Sequence, residues 1–161
     1  MRTRTPFIHS YLIAFGLIAI LLAVGLSDSH AQDTWTQKAD FGGTARGGAA
    51  GFSIGNKGYI GTGNTLGGLV NDFWEYDAMT NAWAQKADFG GMVRRNAVGF
   101  SIGNKGYIGT GYSFAGPYLK DFWEYDPANN SWTQKASVGG SGRFLAVGFS
   151  IGSKGYIGTG A

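Results

Sequence analysis

The hydrophobic residues after residue 33 fall into short runs, and turn-forming residues interrupt them every few positions. The runs are rich in aromatic and β-branched residues and are bounded by Gly, Asn or Pro, as in the Asp-Phe-Trp-Glu-Tyr-Asp stretch at 72–77. Runs of this length and composition predict short β-strands, and no helical period accompanies them. We therefore expect an all-β fold.

Four strands are predicted in the first block of this pattern, and each follows the last through a short loop or turn. Gly and Asn tolerate positive φ, so the residues at 55–58 and 78–81 predict tight turns. Strands in this order indicate a four-stranded antiparallel meander. The predicted strands are residues 49–54, 59–62, 72–77 and a last one that begins at Trp83.

The meander pattern recurs along the chain in nearly identical copies. The stretch at 51–63, Gly-Phe-Ser-Ile-Gly-Asn-Lys-Gly-Tyr-Ile-Gly-Thr-Gly, returns at 99–111 and again at 148–160, where Ser153 replaces Asn. Copies this close predict a repeat architecture. The Trp residues that open the fourth strands, Trp35, Trp83 and Trp132, lie 48 and 49 residues apart.

The two copies that contain all four strands combine an arginine, a strand, a Gly turn, Tyr-Ile-Gly-Thr-Gly, Asp-Phe-Trp-Glu-Tyr-Asp and a fourth strand opened by Trp. Over residues 33–161 this combination resembles the kelch repeat, whose spaced Tyr and Trp match Tyr76 with Trp83 and Tyr125 with Trp132. The family's Gly-Gly at the end of strand two is Gly-Thr-Gly here, which departs from its pattern. The resemblance implies a secreted kelch-repeat protein of the galactose-oxidase-like central-domain type, built from four-stranded β-propeller blades.

The resemblance also predicts how the units divide the chain. About two and a half blades fall short of the 4–8 blades of a closed propeller, so we expect an incomplete ring. Three explanations stay open: a truncated piece of a longer gene product, which we favour, several chains that complete one ring, or a tolerated short array. The predicted parts are a blade-closing strand at 33–39, blade one at 45–87, blade two at 93–136 and a partial blade three at 143–161.

The N-terminal segment has the features of a signal peptide. Arg2 and Arg4 supply positive charge, residues 11–26 are apolar or small, and Ser29 and Ala31 stand at the small-residue positions of a cleavage site. We expect cleavage after Ala31, so that residues 1–31 are removed and the protein is secreted, periplasmic or in the cell envelope. The alternative is an uncleaved single-pass membrane anchor.

Composition restricts the chemistry that the chain can perform. The chain has no cysteine, and its two histidines, His9 and His30, lie in the segment that cleavage would remove. We therefore expect no metal site, no cofactor and no catalytic residues in the mature chain. A net charge of +3 without any basic run also argues against a nucleic-acid partner.

An arginine recurs once in each unit, which leaves two interpretations open. Guanidinium groups could hold carboxylates or acidic glycans, but a residue repeated in every unit is more typical of a structural tie between blades. Arg95 is a stronger binding candidate because its counterparts are Gly47 and Phe144. The recurring residues are Arg46, Arg94 and Arg143.

The loops between the second and third strands differ most between copies, and variable loops on a rigid scaffold commonly carry recognition. The aromatic residues of the 112–120 loop are suited to stacking on a sugar or anchoring a peptide, although local packing is the equal alternative. The resemblance places this loop beside the blade-joining loop. The predicted ligand-binding patch is Arg94, Arg95, Tyr112, Phe114 and Tyr118.

Recurrent carboxylates at 72–77 and 121–126 could act as a glycosidase pair, but their identical recurrence favours capping of turns and strand ends. We expect a non-catalytic module that binds a protein or carbohydrate. The alternative is a galactose-oxidase-like or sialic-acid-mutarotase-like enzyme fragment, although the oxidase type would need His and Cys, which the mature chain would lack. The aromatic residues predicted as core are Phe52, Trp74, Tyr76, Phe100, Trp123, Tyr125 and Phe149.

Overall fold

The computed structural model describes residues 34–116 and 118–161. The chain divides into two units, residues 1–36 and 37–161, and every strand described below belongs to the second unit. This unit is all-β and consists of several small antiparallel sheets. The predicted signal peptide lies outside the described residues. Within them, no helix is long and apolar enough to cross a membrane.

The first sheet contains four antiparallel strands, and neighbours in the sheet follow one another along the chain. A short hairpin lies in the loop between the second and third strands of this sheet, and its strands β3 and β4 have two residues each. The strands in chain order are β1 (Ala50–Ile54), β2 (Lys57–Gly61), β3 (Asn64–Thr65), β4 (Gly68–Leu69), β5 (Phe73–Asp77) and β6 (Ala82–Lys86), and the sheet order is β1-β2-β5-β6.

The second sheet repeats the first, and a two-stranded antiparallel sheet, which we call the third hairpin, repeats its first half. The predicted four-strand meander is therefore formed twice. The second sheet comprises β7 (Val98–Ile102), β8 (Lys105–Gly109), β9 (Phe122–Asp126) and β10 (Ser131–Lys135), and the third hairpin comprises β11 (Val147–Ile151) and β12 (Lys154–Gly158).

The turn between β1 and β2 is tighter than predicted. Ile54 pairs with Lys57, so the turn contains only Gly55 and Asn56 rather than residues 55–58. Gly55 has a φ of 56°, a conformation that glycine adopts without steric cost. The prediction failed because Lys57 and the glycine after it continue the strand ladder.

The Gly-Thr-Gly segments place threonine in a conformation that usually belongs to glycine. Thr62, Thr110 and Thr159 have φ values of 59°, 60° and 62°. Positive φ is rare for a β-branched residue, and it recurs here at the same position of all three copies. All three copies therefore share one backbone conformation at this threonine.

The core lies between the first and second sheets. Phe73 of β5 is fully buried, and its ring meets Tyr125 and Trp132 edge-on at centroid distances of 4.8 Å and 4.9 Å. Gly106 of β8 permits this approach, because a β-carbon there would overlap the Phe52 ring. Burial of such large aromatic surfaces is the main stabilising contribution to the contact between the sheets.

The core prediction is confirmed in part. Tyr125 and Phe100 are buried, whereas Phe149 of the third hairpin is 50% exposed and the prediction for it was wrong. Phe149 has the same sequence environment as Phe100, but no further sheet covers it within the described residues. The other four predicted core aromatics are half-buried: Phe52, Trp74, Tyr76 and Trp123.

Backbone hydrogen bonds tie each copy to the next in the same way. The Gly63 N–H donates to the Arg94 carbonyl over 2.7 Å, and the Gly111 N–H donates to the Arg143 carbonyl over 2.8 Å. These bonds hold the loop after the second strand of one copy against the segment before the first strand of the next. A second series runs from the Asn96 N–H to Gly48 and from the Leu145 N–H to Asn96.

The predicted blade-closing strand at 33–39 is not a strand within the described residues 34–39. Its counterparts in β6 and β10 are strands because β5 and β9 pair with them. Within the second unit, residues 37–39 pair with no described strand, so their backbone joins no ladder. Instead, the Ala39 N–H donates to Asn81 Oδ1 over 2.9 Å.

Candidate functional site

The Arg94 side chain is fully buried, and the second sheet uses its donors. Its guanidinium nitrogens donate to both carboxylate oxygens of Asp121 at 2.7 Å and 2.6 Å and to the Thr110 carbonyl at 2.9 Å. Nε donates to the Met92 carbonyl, and the Phe89 ring lies 4.7 Å away. Such a bidentate pair fixes the geometry of both side chains.

The Arg46 side chain makes the same contacts in the first sheet. It binds Asp72 with both terminal nitrogens, at 2.5 Å and 2.6 Å, and donates to the carbonyls of Thr62 and Thr44. The Phe41 ring lies 4.9 Å from the guanidinium. The recurrence of the complete arrangement shows that it belongs to the architecture of the unit.

These contacts correct two expectations. Arg46 and Arg94 are buried against carboxylates and cannot contact a ligand at the surface, so both leave the candidate site. Their side chains tie segments within one unit, not neighbouring units as predicted. The Arg46 hydrogen bonds hold the pKa of Asp72 below its ordinary value. For Asp121, burial alone would raise the pKa, but the bonds from Arg94 and Trp123 outweigh burial and lower it.

Arg143 differs from its two counterparts. No carboxylate lies within ion-pair distance of it among the described residues, and its contact with the Thr159 carbonyl is long at 3.4 Å. Its Nε atom is buried and has no hydrogen-bond partner there. Val138 occupies the position of the Phe that covers the other two arginines. Arg143 is thus a half-buried cation without a countercharge in the described part of the chain.

The recurrent glutamates are bound to neighbouring strands. Glu75 accepts hydrogen bonds from Lys57 and Tyr59, each at 2.7 Å, and forms an ion pair with Lys86 at 3.2 Å. Burial raises the pKa of Glu75 by itself, but these bonds outweigh it and the pKa is lowered. Burial, followed by the bond to Glu75, raises the pKa of Tyr59.

Glu124 repeats this arrangement, with Tyr107 at 2.7 Å and Lys135 at 3.1 Å. Burial, reinforced by Glu124, raises the pKa of Tyr107 to about 12. Asp77 and Asp126 accept backbone N–H bonds in the turns that follow β5 and β9, so the predicted capping is confirmed for these two. The other four recurrent carboxylates bind Arg, Lys or Tyr side chains instead. Within residues 34–116 and 118–161, no group of three His, Cys, Asp or Glu side chains is arranged to hold a metal ion.

Five side chains gather beside the 112–120 loop, and we call them the aromatic loop cluster. Its rings meet at centroid distances of 5.8 Å for Tyr112–Phe114, 6.5 Å for Tyr112–Tyr118 and 5.4 Å for the stacked Tyr118–Phe144 pair. The Arg95 guanidinium carbon lies 5.2 Å from the centre of the Tyr112 ring. The cluster consists of Arg95, Tyr112, Phe114, Tyr118 and Phe144.

The repeat backbone positions this cluster. Arg95 and Tyr112 face each other in an isolated antiparallel bridge, with N–H···O bonds of 3.0 Å and 2.9 Å. The first copy has the same bridge between Gly47 and Asn64, and the third has the same pair of bonds between Phe144 and Ala161. One backbone arrangement therefore carries three different pairs of side chains, and only the middle pair joins a cation to an aromatic ring.

The cluster presents apolar surface to solvent. Phe114 is 72% exposed and Tyr118 is 55% exposed, while Arg95 and Tyr112 are half-buried beneath them. The Arg95 Nε atom is buried and has no hydrogen-bond partner among the described residues. Exposed aromatic rings beside a guanidinium are suited to contact a flat apolar face and a hydrogen-bond acceptor at once.

The structure brings together four of the five residues of the predicted patch. Arg94 is excluded because its side chain points into the second sheet, although it precedes Arg95 directly. Sequence reasoning left Phe144 out of the patch. The signal was present, since Phe144 stands at the same variable position as Arg95 and Gly47.

A scan of protein-family models finds no match to this chain, and a search of curated proteins finds none either.

Proposed function

We propose that this chain is a non-catalytic binding module whose sheets are kelch-type propeller blades and which acts outside the cytoplasm. The proposed blade identity is supported by the Tyr-Ile-Gly-Thr-Gly and Asp-Phe-Trp-Glu-Tyr-Asp motifs and by two four-stranded meanders in chain order. The features of the first 31 residues support export. The proposed ligand is a protein or carbohydrate bound at the aromatic loop cluster.

One observation carries the proposal: the cluster stands where otherwise near-identical copies diverge. The strands and their ion pairs repeat almost unchanged, as expected for residues that hold the scaffold. The Arg95–Tyr112 pair replaces Gly47 and Asn64 of the first copy and adds two large groups at one site. Aromatic and Arg side chains at such a site are the types that dominate binding energy at interfaces.

The chemistry of the cluster defines what the ligand must offer. The exposed Phe114 and Tyr118 rings require an apolar or sugar-ring face, and the Arg95 guanidinium requires an acceptor oxygen. The carboxylates of the two sheets take no part, because each of the six is bound to a Lys, Arg or Tyr side chain or to a turn N–H. The proposed role is therefore recognition without a chemical step.

The test uses the chain without residues 1–31 against two probes, an immobilised panel of neutral and acidic oligosaccharides and a displayed peptide library. We expect a retained ligand whose affinity falls at least tenfold in the Arg95→Ala/Tyr112→Ala/Tyr118→Ala variant, since hot-spot truncations cost about 2 kcal/mol or more each. The matched control is Asn64→Ala/Leu66→Ala, which alters the equivalent loop of the first copy. Equal affinity of all three proteins would refute the proposed site.

A further inference from the structure

The Arg95 guanidinium lacks a countercharge in the described part of the chain. Arg46 and Arg94 each bind a carboxylate with two nitrogens. Arg95 forms no ion pair and no side-chain hydrogen bond among the described residues, and its guanidinium lies against the Tyr112 ring instead. A half-buried guanidinium with unused donors favours an anionic ligand, because hydrogen bonds from Arg to a carboxylate are among the strongest in proteins.

The segments that form the aromatic loop cluster contain no acidic residue. Asp and Glu are absent from residues 89–120 and 127–161, which include all five members of the cluster. Asp121 follows the variable loop directly, but its carboxylate binds Arg94. The exposed Lys120 adds a second positive charge to the loop. The charge of these segments is therefore positive and unbalanced, which is complementary to a negatively charged ligand.

The cluster lies between two neighbouring copies. On one side, the Asn96 N–H donates to the Gly48 carbonyl of the first copy over 2.7 Å, and on the other side Phe144 of the third copy stacks on Tyr118. The equivalent loop of the first copy stays open although a further copy follows it, because Leu66 in that loop is fully exposed. A following copy therefore leaves such a loop accessible to a ligand.

Tyr112 joins the guanidinium to the exposed rings. Arg95 lies against its ring, and the Phe114 ring meets it edge-on at 5.8 Å with an interplanar angle of 89°. Phe114 and Tyr118 are largely exposed, so they offer raised ring faces rather than the closed pockets that anchor peptide side chains. A sugar ring that bears its own carboxylate matches both features, since the ring stacks on an aromatic face while the carboxylate binds the guanidinium.

We infer that the aromatic loop cluster binds an acidic oligosaccharide, in which a hexuronate ring stacks on Phe114 and its carboxylate accepts hydrogen bonds from Arg95. Tyr112 acts as a positioning residue that holds the Arg95 side chain beside the exposed rings. The inference rests on the binding function proposed above and adds the chemical class of the ligand. A neutral glycan and an acidic peptide are the competing ligands that the test separates.

The probes are matched pairs that differ only in charge. They are oligosaccharides of galacturonate, of alginate and of hyaluronan, each compared with its methyl ester, together with neutral cellohexaose and the acidic peptide Gly-Glu-Tyr-Glu-Tyr-Gly. The whole chain is titrated by isothermal calorimetry. We expect saturable binding of at least one acidic oligosaccharide and affinity at least tenfold lower for its methyl ester, because the ester lacks the charge that the guanidinium binds.

Variants of the chain separate the contribution of charge from that of stacking. Arg95→Gln is expected to weaken binding of the acidic oligosaccharide at least tenfold and to make its esterification silent, because both changes remove the same contact. Phe114→Ala is expected to weaken the acidic and esterified forms by the same factor, since stacking does not depend on the carboxylate.

The charge control is Lys154→Gln. Lys154 pairs with Ile151 beside the β11–β12 turn, whereas the Arg95–Tyr112 bridge lies beyond the other end of the equivalent strands, where Val98 pairs with Gly109. This variant removes one exposed positive charge away from the cluster and is expected to bind normally. Circular dichroism confirms that each variant is folded.

Three outcomes would overturn the inference. Equal affinity for the acidic and esterified forms, lost in Phe114→Ala, would make the ligand a neutral sugar and leave the proposed binding function standing. Binding of the acidic peptide alone, weakened by Arg95→Gln, would replace the ligand class and also leave that function standing. The third outcome is no saturable binding of any of these probes. If the broader oligosaccharide and peptide panel also retained nothing, the proposed function would fail with the inference.

Discussion

The two interfaces of this molecule are built from nearly the same sequence but differ in how completely they are covered. Between the first and second sheets, Phe73 and Tyr59 are buried. Between the second sheet and the third hairpin, their counterparts Phe122 and Tyr107 are only half-buried and line a groove of about 400 Å³. The side chains are identical, so the difference comes from the neighbour and not from the local sequence.

This difference shows that the role of a repeated residue depends on its partner. Arg94 and Arg143 stand at equivalent positions, but Arg94 is a structural cation held by Asp121, whereas Arg143 has no carboxylate beside it among the described residues. Repetition alone favoured a structural tie for all three arginines. In the structure only Arg46 and Arg94 form such a tie to a carboxylate. Arg46 and Arg94 belong to the scaffold, whereas Arg143 is half-buried without a carboxylate partner among the described residues.

The largest effect is expected from breaking the inner ion pair. Arg94→Ala leaves the Asp121 carboxylate without its partner in a largely buried setting, and we expect the free energy of unfolding to fall by about 3 kcal/mol. Arg143→Ala, which breaks no ion pair, is expected to cost about 1 kcal/mol or less. Urea unfolding of both variants measures the difference, and equal losses would contradict the distinction between the two arginines.

A smaller loss of stability is expected from adding a side chain where the first and second sheets touch. A β-carbon at Gly106 overlaps the Phe52 ring, so Gly106→Ala should lower the free energy of unfolding by about 2 kcal/mol. The matched control is Gly58→Ala, because a β-carbon there meets only Tyr76 at an ordinary 3.9 Å. Thermal unfolding compares the two. If Gly58→Ala were as destabilising as Gly106→Ala, the contact between the sheets would not explain the glycine.

The smallest effect concerns pH. The fold lowers the pKa of Asp72 and of Asp121 below the ordinary 3.8, so their ion pairs stabilise fully above that value and are lost as pH falls through the lower folded-state values. We expect each pair to contribute about 1 kcal/mol that disappears in acid. Unfolding curves from pH 6 to about pH 2 test this.

The Asp72→Asn/Asp121→Asn variant should lose less stability in acid than the wild type, because two carboxylates with a lowered pKa have been removed. Some loss should remain, because the other carboxylates with a lowered pKa still titrate. Arg143→Ala should leave the pH profile unchanged, since no carboxylate pairs with that arginine among the described residues. A profile that is identical in the wild type and the double Asn variant would show that these pairs do not sense pH.

Much of the fold could be predicted from the sequence because the strands, the turns and the repeat period depend on local residue patterns. The aromatic and β-branched runs predicted the meander, and the Asn and Gly positions predicted its turns, with an error of two residues at 55–58. The strand predicted at 33–39 is not formed over the described residues 34–39, and the reason is physical. Its sequence matches β6 and β10, but a strand also needs a neighbour to pair with.

The candidate site could be predicted less completely. Departure from the repeat pointed to Arg95, and the structure places its guanidinium beside Tyr112, which contacts Phe114 and Tyr118 of the variable loop. Phe144 was left out because its approach to Tyr118 depends on how the third copy packs on the second. The same dependence on packing explains Arg94, whose burial cannot be read from a sequence that is shared with the less buried Arg143.

The backbone hydrogen bonds that link each copy to the next also determine where local unfolding begins. The second sheet is tied on two sides, through Gly63 to Arg94 and through Gly111 to Arg143. Among the described residues, the first sheet and the third hairpin are each tied on one side, and the third hairpin has only two strands. Coupling between nearest neighbours of this kind makes local unfolding spread from the copy with the fewest ties. Amide protons should therefore exchange fastest in β11 and β12, where only two strands pair, and slowest in β8 and β9 of the doubly tied sheet.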